Sequence, residues 1–487
     1  MIVFLIIFFL FTFNEIFTSS YILLPFNSEN SIDDFIKSKY DIGLYTYMEI
    51  GEPKQKIKIY FRDDYFSFFI LNKDITYNDE EITEINIPEK SKKVKINNLY
   101  DNKLSSTYKN NSDYQNFFID IYYRKGFLSS EKFYLKTGFE RAEEKNNELE
   151  FVLANKIKPN RTLISGAIGL LVDEYFLEGA QSFPRMLVKK NVTSFCVWSK
   201  IYYKDKNGIF IFGDFPHVIF KDKFYKEQYL ETNIKINIYK QKWNIDFDEI
   251  FINNANNNNE RNTNNTCKNI YLNKTLYGEI KHNLGLIIGT LEYQNLIEEL
   301  FFNDYITNGI CNKDKILIND FNDIKKNFTY YNCIKDKTFN KERFPKLYFK
   351  QKDLKYIFEL NENDLFISYN NKWYFLIIFE GEETADCVHK WMFGEPLLKK
   401  YFFVFDPINY KIGFYNPSIS IKRREKSIKT EGKNITYNYK KIIFFSVIIL
   451  FIFTIFLILL LKIVNYQKNK IEKHPYTELQ NITIQKD

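Results

Sequence analysis

The chain has 487 residues, of which 45% are hydrophobic and 26% are charged, and this composition is that of a globular protein with room for two domains. The formal net charge of +7 is the small difference between 68 basic and 61 acidic residues. The balance excludes a chain that is disordered throughout, and the dispersed basic residues argue against nucleic-acid binding. No histidine or cysteine spacing predicts a metal site, and no glycine-rich loop predicts a nucleotide or another cofactor.

The chain begins with an apolar segment at residues 2–13, followed by polar and small residues up to Ser20. This segment is short for a membrane span and is typical of a signal peptide, although the usual preceding positive charge is absent. We therefore predict a signal peptide at residues 1–20, with an uncleaved anchor as the alternative. Residues 21–39 are interpreted as an N-terminal extension.

A second apolar segment covers residues 442–461, with only Ser446 and Thr454 as polar members. At about 1.5 Å per helical residue its length matches a hydrocarbon core of roughly 30 Å, so it predicts one transmembrane helix. With a cleaved signal peptide this gives a type I protein, with residues 419–441 as a basic juxtamembrane stalk. Basic residues are more numerous on this lumenal flank, contrary to the positive-inside rule, but flanking charge does not turn back a large domain already committed to translocation.

The predicted cytosolic tail, residues 462–487, contains Tyr476-Thr477-Glu478-Leu479. This tetrapeptide resembles the tyrosine-based sorting signal that clathrin adaptors bind, although such tetrapeptides also arise by chance in a tyrosine-rich chain. Tyr476 and Leu479 are therefore candidate adaptor contacts. The expected location is a secretory or endolysosomal membrane or the cell surface, with most of the chain lumenal or extracellular.

The five cysteines fit an oxidising compartment and allow up to two disulfides and one spare thiol. Their connectivity cannot be read from the sequence, but Cys311 and Cys333 are expected to be structural rather than to bind zinc. Sequons at Asn160, Asn191 and Asn327 would permit glycosylation of a lumenal domain.

The stretch from Tyr40 to Leu71 alternates apolar and polar residues on both sides of Gly51-Glu52-Pro53, which predicts a β-hairpin. It resembles the N-terminal hairpin of the pepsin-like aspartic proteases, in which Gly-x-Pro-x-Gln is followed by a strand and the catalytic Asp-Thr-Gly-Ser. Gly51, Pro53 and Gln55 match the first motif. In this register Arg62 falls where the first catalytic aspartate belongs.

Further landmarks of that family follow in the same order. Asn116–Leu135 resembles the flap hairpin, with Gly126 near its turn and Tyr122 or Tyr123 as the flap tyrosine, although a strand tyrosine more often serves packing. The remaining landmarks of the first half are a glycine-rich strand, a short helix and a strand pair near the lobe boundary, at Gly166–Leu170, Ser182–Val188, Phe195–Trp198 and Gly208–Gly213.

The second half of the chain carries similar landmarks. Trp243–Phe247 resembles the strand that opens the second lobe, and the asparagine-rich residues 253–265 predict a solvated insertion. His282–Ile288 takes the place of the second Asp-Thr-Gly, with Asn283 at the aspartate position when Gly285 is aligned with the glycine. The middle strands are expected at Phe344–Phe349 and Asp364–Phe366, and the closest match is the closing segment Trp391–Phe414.

The resemblance covers roughly Tyr40 to Pro417 and implies a mainly β, bilobal pepsin-like fold. We expect an N-terminal lobe at residues 40–220 and a C-terminal lobe at residues 221–418. Aspartic proteolysis needs two carboxylates that share one proton, and neither Arg62 nor Asn283 can serve. Asp63 and Asp64 are weak substitutes, because neither precedes the expected glycine and a shift by one residue turns a strand side chain to the other face.

The sequence therefore favours a membrane-anchored pseudoprotease whose cleft binds a peptide or protein. Two alternatives remain open. The first is a divergent active aspartic endopeptidase, and the second is a type I sorting receptor or adhesin.

Overall fold

The computed structural model describes residues 21–29, 34–63, 67–77, 99–112, 115–118, 123–137, 143–157, 164–171, 182–204, 207–234, 242–253, 267–271, 276–319, 325–381, 390–417, 459, 461–463 and 466. The chain divides into two compact units, Met1–Asn416 and Pro417–Asp487. In the second unit, residues 461–463 are helical. Among the described residues no helix has the length and apolar character needed to cross a bilayer, and of the predicted span only Leu459 and Leu461 are described.

The first unit is built on two large sheets. Twelve consecutive strands belong to the 14-stranded first sheet: β1 (Ile22–Ser28), β2 (Leu44–Ile50), β3 (Gln55–Arg62), β4 (Phe68–Tyr77), β5 (Lys109–Asn110), β6 (Gln115–Phe118), β7 (Tyr123–Thr137), β8 (Glu143–Ile157), β9 (Gly166–Gly169), β10 (Trp198–Lys204), β11 (Asn207–Phe212) and β12 (Tyr229–Asn233).

The next strands form the 12-stranded second sheet: β13 (Asn244–Asn253), β14 (Cys267–Tyr271), β15 (Leu276–Ile280), β16 (Ile287–Gly289), β17 (Cys311–Asn319), β18 (Lys325–Ile334), β19 (Lys346–Gln351), β20 (Ile357–Leu360), β21 (Phe366–Tyr369), β22 (Lys372–Phe375), β23 (Ile377–Glu380) and β24 (Lys390–Phe393). The chain then returns to the first sheet as β25 (Val404–Asp406) and β26 (Lys411–Tyr415). The mainly β class predicted from the sequence is confirmed.

The helices of this unit are short and lie between strands. The α-helices are α1 (Phe35–Tyr40), α2 (Phe183–Lys189), α3 (Pro216–Ile219), α4 (Leu291–Ile297), α5 (Asn303–Thr307), α6 (Glu362–Leu365) and α7 (Glu395–Tyr401). A π-helical turn at Glu298–Phe302 joins α4 to α5, and 3-10 turns lie at Lys226–Gln228 and Lys341–Arg343.

The predicted opening hairpin is confirmed. β2 and β3 pair antiparallel, from Ile50 opposite Gln55 to Tyr45 opposite Tyr60. Alternate residues of both strands are buried, as the period-2 pattern requires. The segment before the hairpin, predicted as an extension, contributes β1, which pairs with β11 and β2 inside the first sheet.

The second predicted hairpin differs from its prediction in the position of Gly126. β6 and β7 pair antiparallel, from Gln115 opposite Gly126 to Phe118 opposite Tyr123, so Gly126 lies within β7. A Cβ atom at this position would lie 2.3 Å from the Leu153 carbonyl oxygen. The glycine therefore serves the close approach of β7 to β8 rather than the turn.

The segment Asp364–Phe366 was expected to be a strand, and only Phe366 is. Asp364 and Leu365 belong to α6, because the Asn361 side chain accepts hydrogen bonds from the backbone N–H groups of Asn363 and Asp364. The Asp364 carboxylate accepts from the Asn361 N–H in return. This capping box begins α6, a single helical turn that directly precedes β21.

The two sheets repeat one arrangement of three strands. β3 runs parallel to β9, and β4 pairs with the other side of β9 antiparallel. In the second sheet β15 runs parallel to β24, and β16 pairs antiparallel with its other side. The chain therefore leaves each sheet at an equivalent place, after β3 and after β15.

One apolar core extends through both sheets and includes Phe61, Trp198, Trp243, Trp391 and Phe405. A smaller cluster joins α1 to the second sheet and the loop before it, and it includes Ile36, Tyr40, Leu284, Leu286 and Ile288. The core thus passes beneath the two places where the chain leaves the sheets.

Cys311 and Cys333 form a disulfide between directly opposite residues of β17 and β18, which confirms their structural role. Cys196 is buried, and Cys387 lies outside the described residues.

We expect the double substitution Cys311→Ala/Cys333→Ala to lower the free energy of unfolding by about 3 kcal/mol, because the bond closes a separation of 22 residues in the unfolded chain. The measurement is urea unfolding of the full-length chain followed by tryptophan fluorescence. Reductant should destabilise the native chain and leave the variant unchanged. A variant as stable as the native chain would contradict the prediction.

Candidate functional site

The segments that follow β3 and β15 meet at the junction of the two sheets. The backbone N–H of Asn283 donates to the Asp63 carboxylate (2.8 Å), and the Asn283 side-chain amide donates to the Phe61 carbonyl (2.8 Å). Asp63 and Asn283 are both buried. Each segment thus satisfies buried polar groups of the other, and the two hydrogen bonds hold the ends of β3 and β15 together.

A third hydrogen bond crosses between the sheets nearby. The indole N–H of Trp243, just before β13, donates to the Leu170 carbonyl directly after β9 (2.6 Å). The Trp243 ring also packs edge-on against Trp198 and Phe405. The junction is therefore held by both polar and aromatic contacts.

Arg62, predicted at the first dyad position, forms an ion pair with Asp41. A guanidinium nitrogen lies 2.9 Å from the carboxylate, and the Arg62 side chain is 16% exposed. Arginine stays protonated at any working pH, so this group cannot take a proton from water. It can instead attract an anionic group.

The segment that contains α1 covers the loop after β15. The N–H of Gly285 donates to the Lys39 carbonyl (2.6 Å), and the N–H of Ile42 donates to the Asn283 carbonyl (2.9 Å). The Asp34 side chain caps α1 by accepting from the N–H groups of Ile36 and Lys37. Sequence reasoning missed this contact, although Asp34 before an apolar pair is a helix-start signal.

Gly394 fixes the path of the same loop from the other side. A Cβ atom at this position would lie 2.0 Å from the Leu284 carbonyl oxygen and 2.4 Å from that of Leu286. The next residue, Glu395, donates its backbone N–H to the Leu284 carbonyl (2.8 Å). The loop at residues 281–286 is thus bound to α1 and to the start of α7.

His282, in the middle of this loop, is fully buried among aromatic rings rather than exposed to solvent. Its ring centroid lies 4.8 Å from that of Trp198 and 4.7 Å from that of Phe405. Burial lowers the pKa of His282 well below its usual value, and the nearby Lys200 and Lys281 lower it further. The imidazole is therefore neutral at neutral pH.

Lys200, on β10, lies below the loop with only 4% of its surface exposed. Its ammonium donates to the His282 carbonyl (2.9 Å). Burial lowers the pKa of Lys200 to about 7, while the carboxylates of Glu395 and Asp63 oppose the shift. Nothing in the sequence distinguished this lysine from the many surface lysines.

A cavity of about 360 Å³ lies beside the loop, in the second sheet and its helices. Phe366 and Leu376 form part of an apolar wall. Its charged lining residues are three lysines and two acids: Lys39, Lys399, Lys400, Asp364 and Glu395. Glu395 is ion-paired with both Lys39 (3.7 Å) and Lys399 (3.1 Å), and the lining keeps one excess positive charge.

The other predicted site residues are described only in part. Asp64, Tyr122, Tyr476 and Leu479 lie outside the described residues. Tyr123 begins β7, where it pairs with Phe118. Within the described ranges no group of three histidine, cysteine or acidic residues is placed to hold a metal ion.

The junction brings the Asp63 carboxylate together with basic side chains. Asp63 is buried and accepts a hydrogen bond from the backbone, while Arg62 and Lys200 are cationic or close to it. A carboxylate dyad needs a second acid within hydrogen-bond reach, and the partner that the structure gives to Asp63 from the other sheet is an amide group.

We expect Asn283→Leu to lower the free energy of unfolding by about 1–3 kcal/mol, because the substitution leaves the buried Phe61 carbonyl without its donor. The change is measured by urea unfolding of the full-length chain. Asn312→Leu, at an exposed position of β17, is the matched control and should change stability by less than about 0.5 kcal/mol. Equal effects at the two positions would refute the role assigned to Asn283.

Comparison with known families agrees with this architecture. The family model of the eukaryotic aspartyl proteases matches residues 44–416, from the start of β2 to the residue after β26. A search of curated proteins gives no match to the chain. Since the matched region contains strands β2 to β26 and well over half of the sequence, the chain belongs to the eukaryotic aspartyl protease family.

Proposed function

We propose that this family member is a membrane-anchored pseudoprotease of the secretory pathway that keeps the space between its lobes as a peptide- or protein-binding surface. The observation that carries the proposal is the pairing of Arg62 with Asp41 at the first dyad position. A guanidinium held in an ion pair cannot act as the general base, nor can it share a proton with a second acid.

We place the second dyad position before Asn283. The Asn283 N–H donates to the carboxylate of Asp63, the residue after Arg62, which makes Asn283 the counterpart of the residue after the first position. By the same cross-lobe bonds His282 corresponds to Arg62.

The β-ladders give a neighbouring register. In the first sheet, Arg62 at the end of β3 is opposite Gly169 on β9. In the second sheet, Ile280 at the end of β15 is opposite Phe393 on β24, so the next residue, Lys281, is level with Gly394. In both registers a basic residue, Lys281 or His282, stands where a second aspartate would be needed. This supports the loss of catalysis and replaces the sequence alignment that used Asn283.

The cavity beside the loop supports a binding role. It combines an apolar wall with ion-paired lysines and one excess positive charge, which suits a peptide that presents a large apolar side chain next to an acidic group. Peptide recognition needs no titrating dyad. The replacement of both catalytic positions is therefore compatible with a retained ligand.

Membrane attachment and a lumenal domain remain part of the proposal. Their support is the apolar segments at residues 2–13 and 442–461, together with the disulfide. The sequon residues Asn191 and Asn327 are exposed, which glycosylation in the lumen requires.

The alternative of a divergent endopeptidase is favoured by one observation. Asp63 is a buried carboxylate at the junction of the two lobes, where a catalytic acid would be expected. This enzyme would need a second acid, for which Asp64 is the nearest candidate in sequence.

We expect the purified full-length chain to cleave no member of a peptide library between acid and neutral pH in a pepstatin-sensitive manner, because Arg62 and a basic residue at the second position cannot share a proton as two acids do. Affinity selection with the same library should instead recover bound peptides. Pepstatin-sensitive cleavage that disappears in Asp63→Asn and persists in Asp304→Asn, an exposed control, would establish the endopeptidase and overturn the proposal.

The tail motif gives a separate test of the sorting alternative. We expect Tyr476→Ala to increase the amount of protein at the cell surface, because it removes the aromatic residue of the Tyr-x-x-Leu signal. Tyr466→Ala is the matched control, since Asn469 rather than an apolar residue follows Tyr466 at the third position. Identical surface levels for both variants, measured by surface labelling, would exclude adaptor binding through Tyr476.

A further inference from the structure

We propose that the lobe junction is an acid-sensitive clamp, in which His282 holds the loop at residues 281–286 against the core at neutral pH and releases it when the imidazole is protonated. This property belongs to the fold and does not depend on the proposed binding function. It rests on the surroundings of the His282 ring, on the position of Lys200, and on the contacts that the loop makes.

The first observation is the environment of the ring. Trp198, Phe210 and Phe405 surround it, and among the described residues neither ring nitrogen has a hydrogen-bond partner. A proton on the ring would create a buried cation without an acceptor. Cation–π attraction to the aromatic faces would stabilise the protonated ring by about 0.5–2 kcal/mol. This is less than the several kcal/mol needed to desolvate a charge.

The second observation is that a cationic side chain, Lys200, already contacts the backbone of His282. The Lys200 ammonium donates to the His282 carbonyl, and the rings of Tyr202 and Phe26 lie 4.4 and 5.1 Å from it. The charged groups that act on Lys200 are two acids, Glu395 and Asp63, and two lysines, Lys399 and Lys39. Those that act on His282 are Lys200 and Lys281, and both lysines would repel a protonated imidazole.

The two groups titrate in separate pH windows. The pKa of His282 in the folded chain lies below its ordinary value of 6.5, so its contribution to stability is complete above pH 6.5 and is lost as the pH falls below that value. The pKa of Lys200 is about 7 in the folded chain instead of 10.5. Between these pH values the folded chain binds fewer protons than the unfolded chain, so it loses stability as the pH falls from 10.5 to 7. Of these two groups, His282 is therefore the one that responds below pH 6.5.

The third observation is what the clamp holds. The loop carries the backbone bonds to Ile42 and Glu395 and the cross-lobe bonds of Asn283. Movement of His282 out of its aromatic surroundings would break these contacts together, because they lie on consecutive residues. The expected acid form has a separated junction, while the disulfide-linked strands β17 and β18 remain paired.

The test is hydrogen exchange of the full-length chain, read by mass spectrometry at pH 7.5 and pH 5.5 and corrected for intrinsic exchange rates. Peptides that contain residues 196–201, 280–286 and 403–406 should open about ten times more often at pH 5.5, the ratio expected when a histidine with a pKa of 6.5 is protonated only in the open form. Peptides of β17 and β18 should keep their protection. Unchanged protection of the junction at pH 5.5 would overturn the proposal.

The matched variants are His282→Phe and His217→Gln. Burial also lowers the pKa of His217, against the pull of Asp214 and Glu227 and with that of Lys226, but its ring contacts Tyr415 away from the loop. His282→Phe should abolish the acid response and His217→Gln should retain it. Should His282→Phe not fold, His282→Leu replaces it. Lys200→Met should reduce the pH dependence of stability only above pH 7. A response that persists without His282 would refute its role.

Discussion

The hydrogen bonds that Asn283 donates to the Asp63 carboxylate and to the Phe61 carbonyl connect the two sheets where the chain leaves β3 and β15. They are few, but they are buried, and their loss would leave an amide N–H and a carbonyl oxygen without partners. The ion pair of Arg62 with Asp41, the bonds between α1 and the loop, and the packing of His282 all depend on the loop position that these bonds define. The junction therefore behaves as one cooperative unit.

Basic residues are prominent at the centre of this unit. A proteolytic dyad stores one shared proton between two acids, whereas this junction holds the basic side chains of Arg62 and Lys200 near the buried Asp63 carboxylate. Such a site favours anionic groups and neutral hydrogen-bond acceptors. It also changes how the domain responds to acid. Falling pH drives buried basic groups towards their charged form, whereas it neutralises the carboxyl groups that an aspartic protease uses.

The sequence predicted the parts of the structure that local patterns determine. The opening hairpin followed from its period-2 alternation and the turn at Gly51, and strand β11 and helix α2 followed from landmarks in the correct order. The strand expected at Phe195–Trp198 was placed too early, because β10 begins at Trp198. The partner of Asn283 could not be predicted, since Asp63 is 220 positions away and the contact depends on how both lobes pack. Lys200 was equally hidden, because lysines are almost always exposed and no local pattern marks a buried one. The place of Gly126 was missed since glycine serves close packing as well as turns.

The return of the chain to the first sheet has a consequence for how the protein is made. β25 pairs with β10, and β26 joins β25 to β12, so the first sheet is completed by strands that follow the whole second sheet in sequence. As the chain emerges residue by residue, the edge of β10 stays without its neighbour until about two hundred further residues have been synthesised. The first lobe cannot reach its final form ahead of the second, and maturation of the domain has to wait for nearly its last residues.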